Sequence, residues 1–560
     1  MARLPASDDP GGKTRVQGRL EMKMLRLTDV QLPLDHPEAD LVAAIVARLG
    51  IAADDLISHT VFRRGYDARK RNAISLVYTL DVEVRNEAQV AKRLQGNRHV
   101  SIAPDTSYKF VTHAPAGLTK RPVVIGFGPC GIFAGLILAQ MGFNPIILER
   151  GKVVRERTKD TWGLWRKREL HPESNVQFGE GGAGTFSDGK LWTQVKDPKH
   201  YGRKVLTEFV KADAPPEIMY VSKPHIGTFR LVKMVEIMRE EIVRLGGEFR
   251  FESKVDDIEL DNGRVCGLKL SDGSHIDADH VVLAIGHSAR DTFEMIHQRG
   301  IYIEPKPFSI GFRIEHPQSL IDACRFGANA GNDVLGAADY KIVHHASNGR
   351  SVYSFCMCPG GTVVAASSEP ERVVTNGMSQ YSRNERNANA GIVVGITPDD
   401  YPGHPLAGME FQRQWESKAF ELGGSNYDAP GQLVGDFIAN RPSTEFGSVV
   451  PSYKPGVKLG DLNPSLPTYV IDAIREALPA FEKQIKGFSM NDAVLTGIET
   501  RTSSPIRIKR NDDNLQSINT KGLYPAGEGA GYAGGIMSAA IDGIRVAEAV
   551  ALSIVENSKT

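Results

Sequence analysis

Residues 123–150 read "VVIGFGPCGIFAGLILAQMGFNPIILER". The stretch opens as an apolar strand, turns through glycine, continues as an apolar helix and closes on a second strand ending at Glu149. Gly126, Gly128 and Gly131 make the pattern G-x-G-x-x-G, with Gly135 four residues on. Each spacing has a mechanical reason. The first glycine permits the tight turn, the second lets a pyrophosphate meet bare backbone, and the third, with Gly135, lets helix and strand pack closely. The helix N-terminus beyond them aims free N–H groups and its positive dipole end at the phosphates. Glu149 stands where an acid accepts hydrogen bonds from ribose hydroxyls. A glycine pattern alone is a weak signal. This one has the strand before it, the helix after it and the acid at the right distance, so it predicts a dinucleotide site.

The acid at 149 argues against NADP, whose 2′-phosphate it would repel, but does not separate FAD from NAD. The far end of the chain does. Residues 522–543, "GLYPAGEGAGYAGGIMSAAIDG", place Glu528 after a strand and Gly527, followed by a glycine-rich turn and a helix from about Gly535. An acid there can bind a ribityl chain. A helix N-terminus there can face the flavin edge on which negative charge collects during reduction. NAD has no such second anchor, so the two segments together point to FAD.

The bulk composition sets the outer limits. A chain of 560 residues has room for two to four domains. Hydrophobic and charged fractions of 41% and 24% are those of an ordinary soluble globular protein. Basic and acidic residues number 67 each, a formal net charge of +0, so no global field draws the chain to nucleic acid or an anionic membrane. Five cysteines in this length are not a disulfide framework and fit a reducing, cytoplasmic compartment. There is no charge-free apolar run long enough to span a bilayer. The opening residues "MARLPASDDPGGKTRVQGRL" lack the apolar core of a signal peptide. Residues 1–23 are expected to be a disordered extension, with Met22 and Met24 as alternative starts.

The expected architecture is α/β, a Rossmann-like FAD-binding domain with two additions. Residues 24–115 read strand, helix, strand, helix, an α+β unit of ferredoxin-like kind. Residues 120–300 and 492–560 are the two parts of the FAD-binding domain, and residues 301–491 are an inserted mixed α+β domain facing the substrate. Between the elements of the first unit lies "RRGYDARKR", from Arg63 to Arg71, with five basic residues in nine. It reads as a solvated loop or as a docking patch for an anion, a nucleic acid or an acidic partner. No second G-x-G-x-x-G with its own strand and acid is present. Electrons are therefore expected from NADH or NADPH visiting transiently, from another protein or from the substrate itself.

Further along, "GEGGAGTFSDGKL" (179–191), "KPHIGT" (223–228), "AIGHSARDTF" (284–293), "FCMCPGG" (355–361) and "ETRTSSPIRI" (499–508) carry a resemblance. The two-part site resembles that of the glutathione-reductase-type flavoproteins. The longer motifs resemble the FAD-dependent (NAD(FAD)-utilising) dehydrogenases of bacteria and plastids, over nearly the whole chain from Met24, including the "DARK" of residues 67–70. The geranylgeranyl reductases and the fumarate reductase flavoproteins are similar at greater distance. The resemblance implies that Gly126, Gly128, Pro129, Gly131, Glu149 and Arg150 hold the ADP half of FAD, with Val255 and Gly286 beside the cofactor. It implies that Gly527, Glu528, Gly535 and Ile536 hold the ribityl-phosphate and flavin end. The loop bearing Gly181, Gly182 and Lys190 would run past the isoalloxazine ring. Many members of the wider superfamily carry Asp where this chain has Glu528.

No catalytic residue is assigned from sequence. Cys356 and Cys358 alternate and would share one face of a strand, either packed or redox-active. Two thiols alone make no metal centre, and none is expected. Cys130 is expected to pack within the glycine turn. His225 and His287 are either structural or face the flavin. The absence of a G-x-S-x-G elbow excludes a serine hydrolase of that type. The expected activity is an FAD-dependent oxidoreductase moving a hydride between flavin N5 and a small-molecule substrate. The alternatives are a flavin-dependent RNA-modification enzyme and a flavin-holding regulatory protein without turnover.

Overall fold

The computed structural model describes residues 24–559; the extension expected at 1–23 lies outside the described residues. The chain divides into two compact units. The first holds residues 24–65 and 75–105, and the second holds Tyr66–Ile74 and everything from Thr106 onward.

In the first unit, Leu25–Pro33, Leu56–Asp67, Ser75–Val84 and Val100–Ile102 are strands, and Glu38–Leu49 and Glu87–Arg93 are helices. In spatial order the sheet runs Leu56–Asp67, Ser75–Val84, Leu25–Pro33, Val100–Ile102. The β-α-β-β-α-β sequence with the first strand between the third and fourth is a split β-α-β layout. Strand Ser75–Val84 buries every second residue, from Leu76 to Val84, and helix Glu38–Leu49 buries Leu41, Ile45 and Leu49 along one stripe.

The basic stretch from Arg63 to Arg71 is not the loop expected of it. Its first five residues complete strand Leu56–Asp67, and only from Ala68 does the chain turn. The Asp67 carboxylate makes that turn by accepting the Arg69 backbone N–H at 3.0 Å and pairing with its guanidinium at 2.5 Å. Part of the positive charge is thus neutralised within the motif.

The second unit contains the parallel sheet announced by the opening stretch. Its order is Leu523–Pro525, Val281–Leu283, Val123–Ile125, Ile146–Leu148, Glu248–Arg250, with every pair parallel. Numbered along the chain this is 5-4-1-2-3, the doubly wound order in which a ligand lies beyond the carboxyl ends of the strands at the switch point. Helix Pro129–Gln140 crosses from the first strand to the second and is buried on every side from Cys130 to Ala139. The C-terminal helix Ile536–Asn557 covers it. They meet so closely that a Cβ on Gly543 would stand 2.2 Å from the Cys130 carbonyl oxygen.

The second large sheet has seven strands in the order Val343–His345, Ser351–Cys358, Asn387–Ile396, Phe308–Pro317, Val494–Glu499, Ala429–Leu433, Val457–Leu459. Its central strands Phe308–Pro317 and Asn387–Ile396 pair along ten residues. The boundary expected between 491 and 492 is displaced by this sheet. Val494–Glu499 is one of its interior strands, hydrogen-bonded to Phe308–Pro317 and to Ala429–Leu433. The chain returns to the parallel sheet only at Leu523–Pro525.

Candidate functional site

Segments four hundred residues apart line one cavity of about 420 Å³. The first supplies Gly126, Gly128, Pro129, Glu149 and Arg150, and the last supplies Glu528, Gly535 and Ile536. Gly182, Lys190, Val255 and Gly286 complete the wall from the chain between them. Three of the residues singled out in the sequence do not reach it. A Cβ on Gly131 would meet the Gly126 carbonyl oxygen at 1.9 Å, so Gly131 lets the helix start against the turn. The Gly181 N–H donates to the Phe127 carbonyl, and the Gly527 N–H donates to Asp542. All three fix backbone next to the cavity without lining it.

Glu149 is buried, and both of its oxygens are engaged. Oε2 accepts the Phe127 N–H at 2.9 Å, while Oε1 accepts the N–H groups of Gly151 and Gly179, each at 2.9 Å. The acid therefore ties together the glycine turn, its own strand end and the start of the 179–191 loop. A carboxylate offers about four lone-pair sites, so roughly one is left for a ribose hydroxyl.

The 179–191 loop is held from below by Arg157, whose guanidinium is fully buried and donates to the carbonyls of Asn175, Val176 and Glu180 at 2.7–2.8 Å. Burial lowers its pKa to about 10 despite the nearby carboxylates of Glu149 and Glu180. Gly182 takes φ 61°, ψ −169°, a region essentially reserved for glycine. A Cβ there would lie 2.7 Å from the Gly128 Cα. Backbone thus meets backbone where the loop crosses the first glycine turn.

At the other end, Arg510 and Asp542 form a buried bidentate pair at 2.6 and 2.9 Å. Since Asp542 also takes the Gly527 N–H, this pair positions the Glu528 turn. Glu528 Oε1 accepts the Ser504 N–H at 2.9 Å, while the buried Oε2 has no protein partner. Burial raises the Glu528 pKa to about 7 against the opposing pull of Lys306 and the Ser504 amide.

Lys190, expected beside the ring or as a turn cap, projects its ammonium between two elements. It pairs with Asp188 at 2.8 Å and donates to the Met357 carbonyl. Asp188 is also bound by Arg383, at 2.5 and 2.9 Å. Of the two histidines, His287 lines the cavity and His225 is absent from its wall. His225 stacks on Tyr381 at 5.2 Å and shares a 2.8 Å hydrogen bond with the Tyr381 carbonyl. His287 Nδ1 pairs with the Ser288 hydroxyl at 2.9 Å. Burial, with the charges of Arg501, Arg290 and Lys306, depresses its pKa to about 3, so His287 is neutral at physiological pH.

Sequence reasoning missed Arg501, Asn376 and Trp192 in the wall. Arg501 lies within "ETRTSSPIRI", so its motif was visible; its inward direction depends on Glu416, 85 residues away. Among the described residues no three His, Cys, Asp or Glu side chains could hold a metal ion. No helix of the described residues is long and apolar enough to cross a membrane.

Comparison with known proteins defines the class. Residues 307–502 match the family described as FAD-dependent protein, C-terminal domain-like. Residues 171–308 match flavin containing amine oxidoreductase, and residues 24–83 match a domain of unknown function. The chain is a flavin oxidoreductase, and its cofactor is FAD. It belongs to the same family as an uncharacterised protein of Clostridium beijerinckii, with 48% identity over 526 residues, 94% of this chain and 98% of that one. Solved structures similar to it include the halogenase PltM in complex with phloroglucinol and FAD. That match has 12% identity, 79% of this chain and 70% of that one, and TM-score 0.36. Another is the flavin-dependent brominase Bmp2, with 11% identity, 78% and 79% coverage, and TM-score 0.34.

Proposed function

We propose that the protein exchanges a hydride between FAD in this cavity and a carbon of a small-molecule substrate. The observation that carries the reading is the single cavity into which the G-x-G-x-x-G turn and the Glu528 turn both open. Its wall suits FAD. The turn at Gly126 has φ 96°, and a Cβ there would collide with the Ala284 carbonyl oxygen at 2.4 Å. The unpartnered Glu528 Oε2 is an acceptor waiting for a hydroxyl.

In this reading the helix N-terminus at Pro129 and the backbone of Gly128 receive the pyrophosphate, and Glu149 offers its remaining lone pair to the adenosine ribose. Glu528 receives a ribityl hydroxyl, and the N-terminus of helix Ile536–Asn557 faces the flavin edge. Bound FAD supplies a two-electron acceptor and donor. The chain supplies orientation and exclusion of water. Neutral His287 can donate and accept hydrogen bonds in the wall without adding charge to it. Lys190 and Arg501, both neutralised by acidic partners, are fixed dipoles that need no reorganisation during reaction. Domains are read accordingly: a nucleotide-binding part before about 300 and after Leu523, with the seven-stranded sheet facing the substrate.

The test is an absorbance spectrum of the purified protein with identification of the released flavin, followed by anaerobic reduction with NADH and, separately, NADPH. Bound FAD, bleached by one nicotinamide and restored by a small-molecule acceptor, is expected. Protein that neither carries nor takes up FAD overturns the reading. FAD that no nicotinamide or metabolite reduces favours a holding protein without turnover.

A further inference from the structure

Cys356, in the cavity wall, and Cys358, buried behind it, take no part in the cofactor contacts above. We propose that Cys356 and Cys358 are a redox-active dithiol that exchanges two electrons with FAD held in the same cavity. The proposal rests on the reading of the cavity as the FAD site.

On a regular strand, side chains two residues apart stand parallel and about 7 Å from one another, beyond hydrogen-bonding reach. Strand Ser351–Cys358 is not regular here. Cys356 has φ 41°, the left-handed region that a cysteine rarely occupies. Pairing with Asn387–Ile396 runs to Phe355 opposite Gly391, then resumes at Cys358 opposite Asn389. This break lets Cys356 line the cavity while Cys358, fully buried, lies behind it. The Cys358 thiol donates to the Cys356 carbonyl oxygen at 3.3 Å. All five cysteines are free thiols in this structure.

The charges around the pair separate its two sulfurs. The Lys190 ammonium is anchored on the carbonyl of Met357, the residue between them. The Arg313 guanidinium donates to the Cys356 carbonyl at 2.8 Å. Asp188 opposes Lys190 and is itself bound by Arg383, and Glu499 opposes Arg313 at its buried ion pair. The neighbouring thiol and the two cations hold Cys356 well below the ordinary thiol range, while burial and the adjacent thiolate push Cys358 well above it. These directions favour the thiolate on the sulfur that faces the cavity over the one behind it. Buried cysteines that only pack need neither cationic partners nor access to a ligand cavity.

The exchange balances within the site. Oxidation of the pair breaks the Cys358 S–H bond, forms one S–S bond and releases two electrons and one proton. Oxidised FAD accepts the electrons and the proton. In the opposite direction reduced FAD returns them, opening the disulfide to the thiolate and the thiol.

The experiment is an anaerobic dithionite titration of the FAD-bound protein, followed by absorbance, with alkylation and peptide mass spectrometry of residues 356 and 358 at each stage. Wild type is expected to take up two electron pairs per FAD. With alkylation carried out after acid quenching and unfolding in guanidinium, both cysteines should be blocked to iodoacetamide in the oxidised protein and open after reduction. Cys356→Ser and Cys358→Ser should each take up one pair. In the reduced wild type the pH midpoint of Cys356 alkylation should fall below about 8.5, the free-thiol value, and Lys190→Gln should raise it. Wild type that binds FAD, takes up one electron pair and keeps both thiols open throughout overturns the dithiol. Absence of bound FAD overturns instead the reading of the cavity. Should a serine variant fail to fold, the wild-type uptake and alkylation pattern decide alone.

Discussion

Glu416 and Arg501, 85 residues apart in sequence, are joined by two hydrogen bonds of 3.0 and 3.1 Å with neither side chain more than 4% exposed. The same carboxylate receives both terminal nitrogens of Arg290, at 2.7 and 2.9 Å. Glu416 lies on helix Ala407–Gly423, Arg290 opens helix Arg290–Gln298, which follows strand Val281–Leu283 of the parallel sheet, and Arg501 follows strand Val494–Glu499 of the other sheet. One buried acid therefore binds elements of both sheets beside the cavity that Arg501 lines.

Replacing Glu416 with Ala leaves two buried guanidinium groups sharing the single carboxylate of Glu369, which already pairs with Arg290 and lies 3.9 Å from Arg501. Removing one partner of a buried ion pair costs about 3–5 kcal/mol. Glu416→Ala is expected to lower the unfolding free energy from urea titration by an amount towards that range and to weaken FAD retention together with it. Glu416→Gln keeps the volume and some hydrogen bonds and should fall between. Equal stability of Glu416→Ala and wild type would show that Glu369 alone compensates both arginines and that Glu416 does not hold the network.

A methyl group at Gly182 tests the crossing of the two glycine loops. Gly182→Ala must accommodate φ 61° with ψ −169° and a Cβ 2.7 Å from the Gly128 Cα. Backbone held in so sparse a region costs about 1–3 kcal/mol, and the collision displaces Gly128 from the cavity wall. Gly286→Ala is the control, because Gly286 also has positive φ, 71°, but a Cβ there meets nothing within 4 Å. Titrating FAD-free protein with FAD should show at least tenfold weaker binding for Gly182→Ala and a smaller loss for Gly286→Ala. Equal losses would reduce the effect to local strain.

What could be read from the sequence follows the distance over which each feature is determined. The strand, turn and helix at 123–150 are local, so glycine spacing and apolar pattern suffice to predict them. The parallel order around them then follows from known β-α-β rules. Val494–Glu499 falls past the boundary expected of the inserted domain because its apolar run is short and its two partner strands lie near 310 and 430. The alternation of Cys356 and Cys358 predicted a straight strand; the slip opposite Gly391 and Asn389 belongs to the pairing and not to the stretch itself. Arg501 belongs to the "ETRTSSPIRI" motif, yet its inward direction is imposed by Glu416. Glu149 was singled out for a ribose, while its three amide partners come from backbone that only the fold brings together.

Those partners make a distinct prediction for Glu149. A carboxamide nitrogen cannot accept a hydrogen bond, so Glu149→Gln leaves at least one buried N–H of Phe127, Gly151 or Gly179 facing another donor. Each unsatisfied buried group costs about 1–3 kcal/mol. The variant is therefore expected to unfold at lower temperature even without FAD, in addition to binding FAD more weakly. A residue serving only the ribose would leave the FAD-free melting temperature unchanged, and thermal melts of the two stripped proteins distinguish the cases.

Glu528 should make FAD-free stability depend on pH. Burial raises its folded pKa from about 4.5 to about 7. A folded acid with a raised pKa holds its proton where the unfolded chain has lost it. Stability is then greatest below the unfolded value and falls as pH rises towards 7, by at most about 1.4 kcal/mol per unit. Above pH 7 the loss is complete, because both states are ionised. Glu528→Gln cannot ionise and removes this contribution. The variant's stability relative to wild type should rise between pH 5 and pH 8, as measured by urea midpoints of the FAD-free proteins. Bound FAD offers Glu528 Oε2 a hydroxyl donor and thereby favours the carboxylate, so the same comparison with saturating FAD should flatten and the variant should lose affinity for the cofactor. A constant difference across the pH range would show that Glu528 is ionised throughout and reaches solvent in the empty cavity.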